Sequence, residues 1–276
     1  IVQSLKPRVS YGVTGRSDFD AYKSLSTYSS NGTYFIDGNW VTGFAPSVNA
    51  NPNLGWEKLV AINAGIDFSL LGGRLRGSVD WFDRQSKDLL YNYTAPQPPF
   101  VWSNILVNVG TTTNTGVEVT LEGDIFKKKD FAWTMSGNWS TGQTKLSKLS
   151  NDVYHASYVD MYQKPGVGTT EYFFRIQEGS KVGQFYGYKF AGASETGDMM
   201  VYDKEGNVIP AASAAPEDKV YIGNGTPKHY VSWSNTFRYK NFDLNLFFHG
   251  AFGYEIFNMR KYGMGLQGCG TDNVLR

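Results

Sequence analysis

Apolar and polar side chains alternate, almost without error, over several segments of about ten residues or more. Between Glu57 and Leu70, the residues Val60, Ile62, Ala64, Ile66, Phe68 and Leu70 fall on one side of the pattern and Asn63, Gly65, Asp67 and Ser69 on the other. Side chains of a strand point to opposite faces in turn, so this period of two predicts a strand with one apolar and one polar face. Gly116 to Phe126 repeats the pattern, with Val117, Val119, Leu121 and Ile125 against Glu118, Thr120, Glu122 and Asp124. A row of carboxylates is too costly to place against a dry core, so water must lie on that side.

The same periodicity predicts seven long strands, near residues 5–15, 57–70, 74–90, 115–126, 131–146, 228–239 and 242–258. Their connections alternate between short and long. Leu71-Gly72-Gly73, Lys127-Lys128-Lys129 and Lys240-Asn241 read as hairpin turns. Residues 16–56, 91–114 and 147–227 read as long excursions rich in Gly, Pro, Ser, Asn and aromatics. A turn at Gly72-Gly73 sets Ile66 opposite Val79, Ala64 opposite Trp81 and Asp67 opposite Ser78, diagonal to Arg76, with faces kept consistent. A turn at Lys240-Asn241 sets Phe237 opposite Leu244, Trp233 opposite Phe248 and Arg238 opposite Asp243. The lysine turn keeps its faces aligned as a three-residue loop, with Ile125 opposite Phe131 and Leu121 opposite Met135. Short turns at one end and long loops at the other predict an all-β chain, part of an antiparallel transmembrane β-barrel with its long loops extracellular.

Composition agrees with this. Charged residues are 18%, aromatics 16%, and there are 31 glycines, which suits long strands, turns and aromatic girdles. No apolar run reaches the roughly 18 residues that a membrane-spanning helix needs. A net charge of +1 offers no electrostatic attraction to nucleic acid. Cys269 is the sole cysteine, so it has no internal disulfide partner. No signal peptide is expected at the start, since residues 1–15 already read as a strand.

Several phrases resemble the C-terminal barrel half of SusC/RagA-type TonB-dependent transporters. They include Arg8-Val-Ser-Tyr-Gly-Val-Thr-Gly15, Asn51-Pro-Asn-Leu-Gly-Trp-Glu-Lys58 and Gly73-Arg-Leu-Arg-Gly-Ser-Val-Asp-Trp-Phe-Asp-Arg84 with Lys87-Asp-Leu-Leu90. Asn108-Val-Gly110, Asn114-Thr-Gly-Val-Glu118, Gly183-Gln-Phe-Tyr-Gly-Tyr188, Tyr221-Ile-Gly-Asn-Gly-Thr-Pro-Lys228, Phe237-Arg-Tyr-Lys-Asn-Phe-Asp-Leu244 and Phe248-His-Gly-Ala-Phe-Gly253 follow in the family's order. The resemblance implies a barrel of about 22 strands, a plug, a TonB-driven cycle, and import of glycans or peptides under a SusD-like surface lipoprotein in the bacterial outer membrane. On that basis residues 1–276 are expected to be part of one barrel domain, with plug, TonB box and terminal strands outside the chain. Rival expectations are a non-transporting barrel acting as adhesin or assembly protein, and a secreted carbohydrate-binding sandwich.

Glu118 and Glu122 lie about 13 Å apart on one strand face at about 3.3 Å per residue, too far for the roughly 5 to 9.5 Å of a glycosidase pair. Neither catalysis nor a cofactor is expected. Gly263-x-Gly265-x-x-Gly268 matches a dinucleotide fingerprint by letter but lacks the strand and helix that make one. Asp203-Lys-Glu-Gly-Asn207 faintly resembles a calcium loop and reads better as a turn between short strands at Met199 to Tyr202 and Val208 to Pro210. His155, His229 and His249 share no metal-ligand spacing. Substrate binding is assigned to loop aromatics, Trp40, Trp56, Phe100, Trp102, Tyr172, Phe173, Tyr186 and Tyr188, whose flat faces suit sugar rings or peptide side chains. The alternative, that they pack loops against each other or against a lid, carries more weight residue by residue.

Overall fold

The computed structural model describes residues 2–17, 20–150, 154–163 and 171–261, so the Gly263 to Gly268 motif and Cys269 lie outside the described residues. In chain order the strands are β1 (Val2–Arg16), β2 (Tyr28–Ile36), β3 (Asn39–Pro46), β4 (Glu57–Leu70), β5 (Leu75–Thr94), β6 (Asn104–Lys127), β7 (Phe131–Lys148) and β8 (Tyr158–Gln163). They continue with β9 (Tyr172–Gln177), β10 (Gln184–Gly187), β11 (Lys189–Ala193), β12 (Met199–Tyr202), β13 (Val208–Pro210), β14 (Val220–Asn224), β15 (His229–Tyr239) and β16 (Phe242–Phe252). Among the described residues no helix is long and apolar enough to cross a membrane, which says nothing of crossing by strands.

Seven long strands form one antiparallel sheet in the order β1-β4-β5-β6-β7-β15-β16, with β1 and β16 at its edges. Two predicted registers are realised. Ala64 pairs with Trp81 and Ile66 with Val79, while Phe237 pairs with Leu244 and Trp233 with Phe248. The first turn is closed by Leu71, Gly72 and Gly73, all at positive φ. The lysine turn departs from expectation: Leu121 pairs with Gly137 rather than Met135, and Lys127 with Ala132. A bulge between Asp124 and Phe126 causes the shift. The carbonyls it frees at Asp124 and Ile125 are taken up by the Arg74 guanidinium at 3.1 and 3.0 Å; residues up to Asp124 keep their expected faces, while Phe126 is carried over to the apolar row of Trp133.

Residues 91–114 are not an excursion. β5 and β6 stay paired out to Thr94 and Asn104, leaving only residues 95–103 as the connection. A bulge at Asp88, whose φ is 59°, interrupts the alternation in β5. Beyond it Ile105, Val107 and Val109 resume a period of two and form a buried cluster with Ala95. The last strand is also shorter than its pattern suggests, ending at Phe252 before Gly253 at φ 75°.

Register carries one apolar row across the sheet: Ile66, Val79, Val119 and Trp139, then Val231. Large apolar residues on this face, including Ile66, Leu121, Trp233 and Phe248, are exposed. The opposite face is a polar ladder. The Arg8 guanidinium donates to Asp67 and Asp80 at 2.8 Å each, Arg76 pairs with Glu122, and Arg238 with Asp243 at 3.0 Å. Thr120 donates to Asn138, which donates to Ser232. The remaining strands form three small sheets, β14-β10-β9-β8, β11-β12-β13 and β2-β3, all built from the long connections.

Candidate functional site

The long connections meet at the end of the sheet away from the three tight turns, where two aromatic sites form. The first is built by asparagines. Asn49 Nδ2 donates to the carbonyls of Trp102 and Asn104 at 2.6 and 2.9 Å, and its Oδ1 accepts the Trp102 N–H. Asn51 donates to Leu106 O. Asn108 donates to Gly55 O and Asp88 O, both at 2.8 Å, and accepts the Gly55 N–H. A carboxamide offers donors and an acceptor at once, so it can replace a strand partner for free backbone groups. These three side chains therefore fasten residues 49–55 along the β5–β6 tip. The result is a cleft of about 500 Å³ lined by Trp102, Asn92, Asn104, Asp20 and Lys23, with the Trp102 indole N–H held by Pro46 O at 2.9 Å.

The second site lies on the β14-β10-β9-β8 sheet. Arg175 on β9 donates through Nε and Nη2 to the two oxygens of Asp160 on β8, both at 2.7 Å. Its guanidinium carbon lies 3.6 Å from the centre of the Tyr158 ring and 4.4 Å from that of Tyr186. A planar cation suits a fork to carboxylate and a stack on rings together, which a lysine cannot reproduce. Arg175→Lys is expected to lower the local opening free energy of β8 to β10 by on the order of 2 kcal/mol, read as faster amide exchange in those strands. Unchanged exchange there would show that the fork does not hold the sheet.

Beside it, Phe173, Tyr186 and Tyr188 line an apolar depression of about 280 Å³ together with Phe190, Val201 and Phe257. Phe173 is buried against Phe257, ring centres 4.5 Å apart, and the Lys219 ammonium lies 5.1 Å over Tyr188. Tyr172 is on β9 as well, at the start of the strand. Phe100 packs on the Ala95, Ile105, Val107 and Val109 cluster. Trp40 stands on the β2–β3 hairpin with 72% of its surface exposed and the Phe35 ring beside it. Trp56 lies against Gly15 at the top of β1, where a Cβ would come within 2.9 Å of the indole. Of the eight aromatics, then, three share one depression, Trp102 lines another cleft, and Trp40 and Trp56 stand apart.

Carboxylates of the polar face are held in ion pairs. Glu122 is held by Arg76, and Asp67 and Asp80 share Arg8. Asp203 Oδ1 accepts the Glu205 and Asn207 N–H groups and Oδ2 accepts the Asn207 side-chain amide. This is a hairpin turn between β12 and β13, the strand ranges expected, and those bonds lower the Asp203 pKa. Among the described residues no group of His, Cys, Asp and Glu is placed to hold a metal ion. Pattern reading missed Arg175, Asp160 and the asparagine clasps, although Asn51-Pro-Asn and Asn108-Val-Gly mark two of them.

Glu178 joins the excursion back to β7. One of its oxygens accepts the N–H of Leu149 at 2.7 Å and of Ser150 at 3.0 Å, and the Ser150 hydroxyl at 2.9 Å. These bonds hold its carboxyl below the usual glutamate range. A lowered folded pKa contributes stability that is complete above the ordinary value of about 4.3 and is lost as pH falls through the lower, folded value. The Leu149 and Ser150 amide resonances are expected to move only below that ordinary range. A shift centred at or above it would disprove the clasp.

The family model described as TonB dependent receptor-like, beta-barrel matches residues 1–262. TonB-dependent receptor P3 of Formosa agariphila is 30% identical over 294 residues, spanning 99% of this chain and 28% of that protein. TonB-dependent receptor SusC of Bacteroides thetaiotaomicron is 27% identical over 258 residues, spanning 89% of this chain and 24% of that protein. Among solved structures, that of the RagAB peptide transporter superposes with a TM-score of 0.73 at 26% identity, covering 95% of this chain and 28% of that one. The RagAB peptide importer in its open-open state superposes with a TM-score of 0.74 at 25% identity, covering 92% and 26%. The chain thus spans about a quarter of the length of the curated relatives it matches.

Proposed function

Because this chain belongs to the TonB-dependent receptor-like β-barrel family, whose members reside in the outer membrane, we propose that it forms part of a SusC-like active importer. In this reading the apolar face of the seven-stranded sheet meets lipid and the polar ladder lines the lumen. The three tight turns lie at the periplasmic end and the asparagine-clasped loops outside. Glycans or peptides are held among the loop aromatics under a SusD-like lipoprotein and released inward when TonB acts on the plug. The chain contributes recognition and a wall, and no chemical step.

The observation that carries this reading is the pair of faces: an exposed apolar face backed by a polar one laced with ion pairs and hydrogen bonds, antiparallel over seven strands, with both edges unpaired among the described residues. Water cannot satisfy backbone groups inside a bilayer, so such edges require neighbouring strands of a closed barrel. The test uses the full-length protein in its own cell. Deleting the gene is expected to abolish uptake of a labelled peptide or oligosaccharide pool, and a protonophore to mimic the deletion. Trp102→Ala and Tyr188→Ala should each reduce uptake while the barrel still inserts. Uptake that survives deletion while surface adhesion is lost would favour the adhesin reading instead.

A further inference from the structure

A groove of about 620 Å³ lies on the apolar face, and its upper wall, through Tyr221 and Ile222, borders the depression around Tyr186. Its floor is one register row, Trp81, Val117, Thr141 and His229, which belongs to the same face as Val119 and Trp139. Phe82, on the polar face beside it, takes no part in the lining. The groove therefore opens on the side that the proposed function gives to lipid, and the inference rests on that reading.

Its height follows from strand geometry. His229 is ten residues above Tyr239 on β15, about 33 Å along the strand and about 25 Å vertically at a tilt of about 40°, which is the full height of a barrel's apolar band. The floor thus reaches the rim, where headgroups begin. There the wall is basic. Lys181 and Lys228 both line the groove, and neither ammonium has a hydrogen bond or ion pair among the described residues. Both backbones are held: Lys181 bridges to Lys145, while Lys228 donates to Phe252 O at 2.9 Å and accepts the Thr141 hydroxyl at 2.8 Å. His229 is stacked on Trp139, 5.9 Å between ring centres. The single acid in the lining, Glu255, is turned to the Asn224 N–H at 2.7 Å.

We propose that this groove binds the phosphorylated headgroup of an outer-leaflet lipid. Lys181, Lys228 and His229 hold the phosphate, the Trp81 ring supports the headgroup, and the acyl chains run down the apolar face toward Leu121. Two cations and an indole at the rim of an apolar band, with bare ammonium groups, match an anionic amphiphile; a neutral sugar or a free peptide has no use for the acyl track.

The full-length protein, extracted in a neutral detergent, is titrated with a monophosphorylated diglucosamine lipid, its dephosphorylated form, or inorganic phosphate, and bound lipid is counted by native mass spectrometry. The phosphorylated lipid should be retained on the order of tenfold better than the dephosphorylated one, and Lys181→Gln with Lys228→Gln should remove that preference. Inorganic phosphate alone should neither bind nor compete at equal concentration. Equal retention of the two lipids, an unaffected double variant, or binding of inorganic phosphate in their place would overturn the proposal. A spin label at Leu121→Cys separates the premise: oxygen accessibility there supports the lipid face, and accessibility to a water-soluble reagent would overturn face and groove together. Lys181→Arg with Lys228→Arg should restore retention, which separates lost charge from a misfolded loop.

Discussion

Leu121→Arg is expected to destabilise the barrel in lipid by about 2 to 4 kcal/mol, the cost of a cation near the midplane of the lipid face. Leu121 lies six residues above Lys127 on β6, about 20 Å along the strand and about 15 Å in height at barrel tilt, close to the middle of the apolar band. Its paired neighbours across the sheet are Gly77 and Gly137, and the Phe68 ring laid over Gly77 beside it offers an arginine there no polar partner. The adjacent Thr120 points the other way and donates to Asn138 at 2.8 Å. Thr120→Arg forfeits that bond, worth about 1 kcal/mol, and leaves its charge in water. Unfolding of the full-length protein in bilayers of one lipid composition should separate the two variants by at least a factor of ten in equilibrium constant. Equal costs would reverse or abolish the assignment of faces.

Gly116→Val should be the most damaging of the conservative-looking changes on the polar face. Phe82 is buried there, with its ring laid over Gly116 and Gly142 and the Arg84 guanidinium 4.4 Å from the ring centre. A Cβ at position 116 would collide with the carbonyl oxygen of Thr141 and come within 2.6 Å of the Phe82 ring. The ring can rotate away, but the carbonyl belongs to β7 and moves only with the strand. A cost of about 1 to 3 kcal/mol or more is expected, as for other overpacked sites. Adding Phe82→Ala to Gly116→Val should recover only the part due to the ring, leaving the strain against β7. Full recovery in the double variant would show that the backbone contact has no weight, and no loss in the single one would refute the placement of Phe82.

Gly72-Gly73 and Lys240-Asn241 allow their registers to be read from sequence because each turn is short and its flanks alternate cleanly. The lysine turn allows no such reading. Its register depends on Arg74, fifty residues away from Asp124 in the chain, which takes the carbonyls that the bulge at Ile125 exposes. Residues 105–109 carry a period of two in Ile105, Val107 and Val109. The bulge at Asp88 and the prolines of the 95–103 connection hide that these residues continue a paired strand. Aromatic loop residues were visible as a class, yet their grouping was not: Trp102 meets Asn49 across 53 positions, and Phe173 meets Phe257 through the end of the last strand.

By itself, then, the sequence determined the number of long strands, the two faces and the ends at which turns and loops lie. Alternation is a property of the local backbone, and every residue of a strand reports it. Only the tertiary structure decided where bulges reset the register, which loops touch, and that Arg8 answers both Asp67 and Asp80 while Arg175 closes on Asp160 between two tyrosines. Those contacts join groups far apart in the chain, and their partners are chosen by distance in space after the sheet has formed.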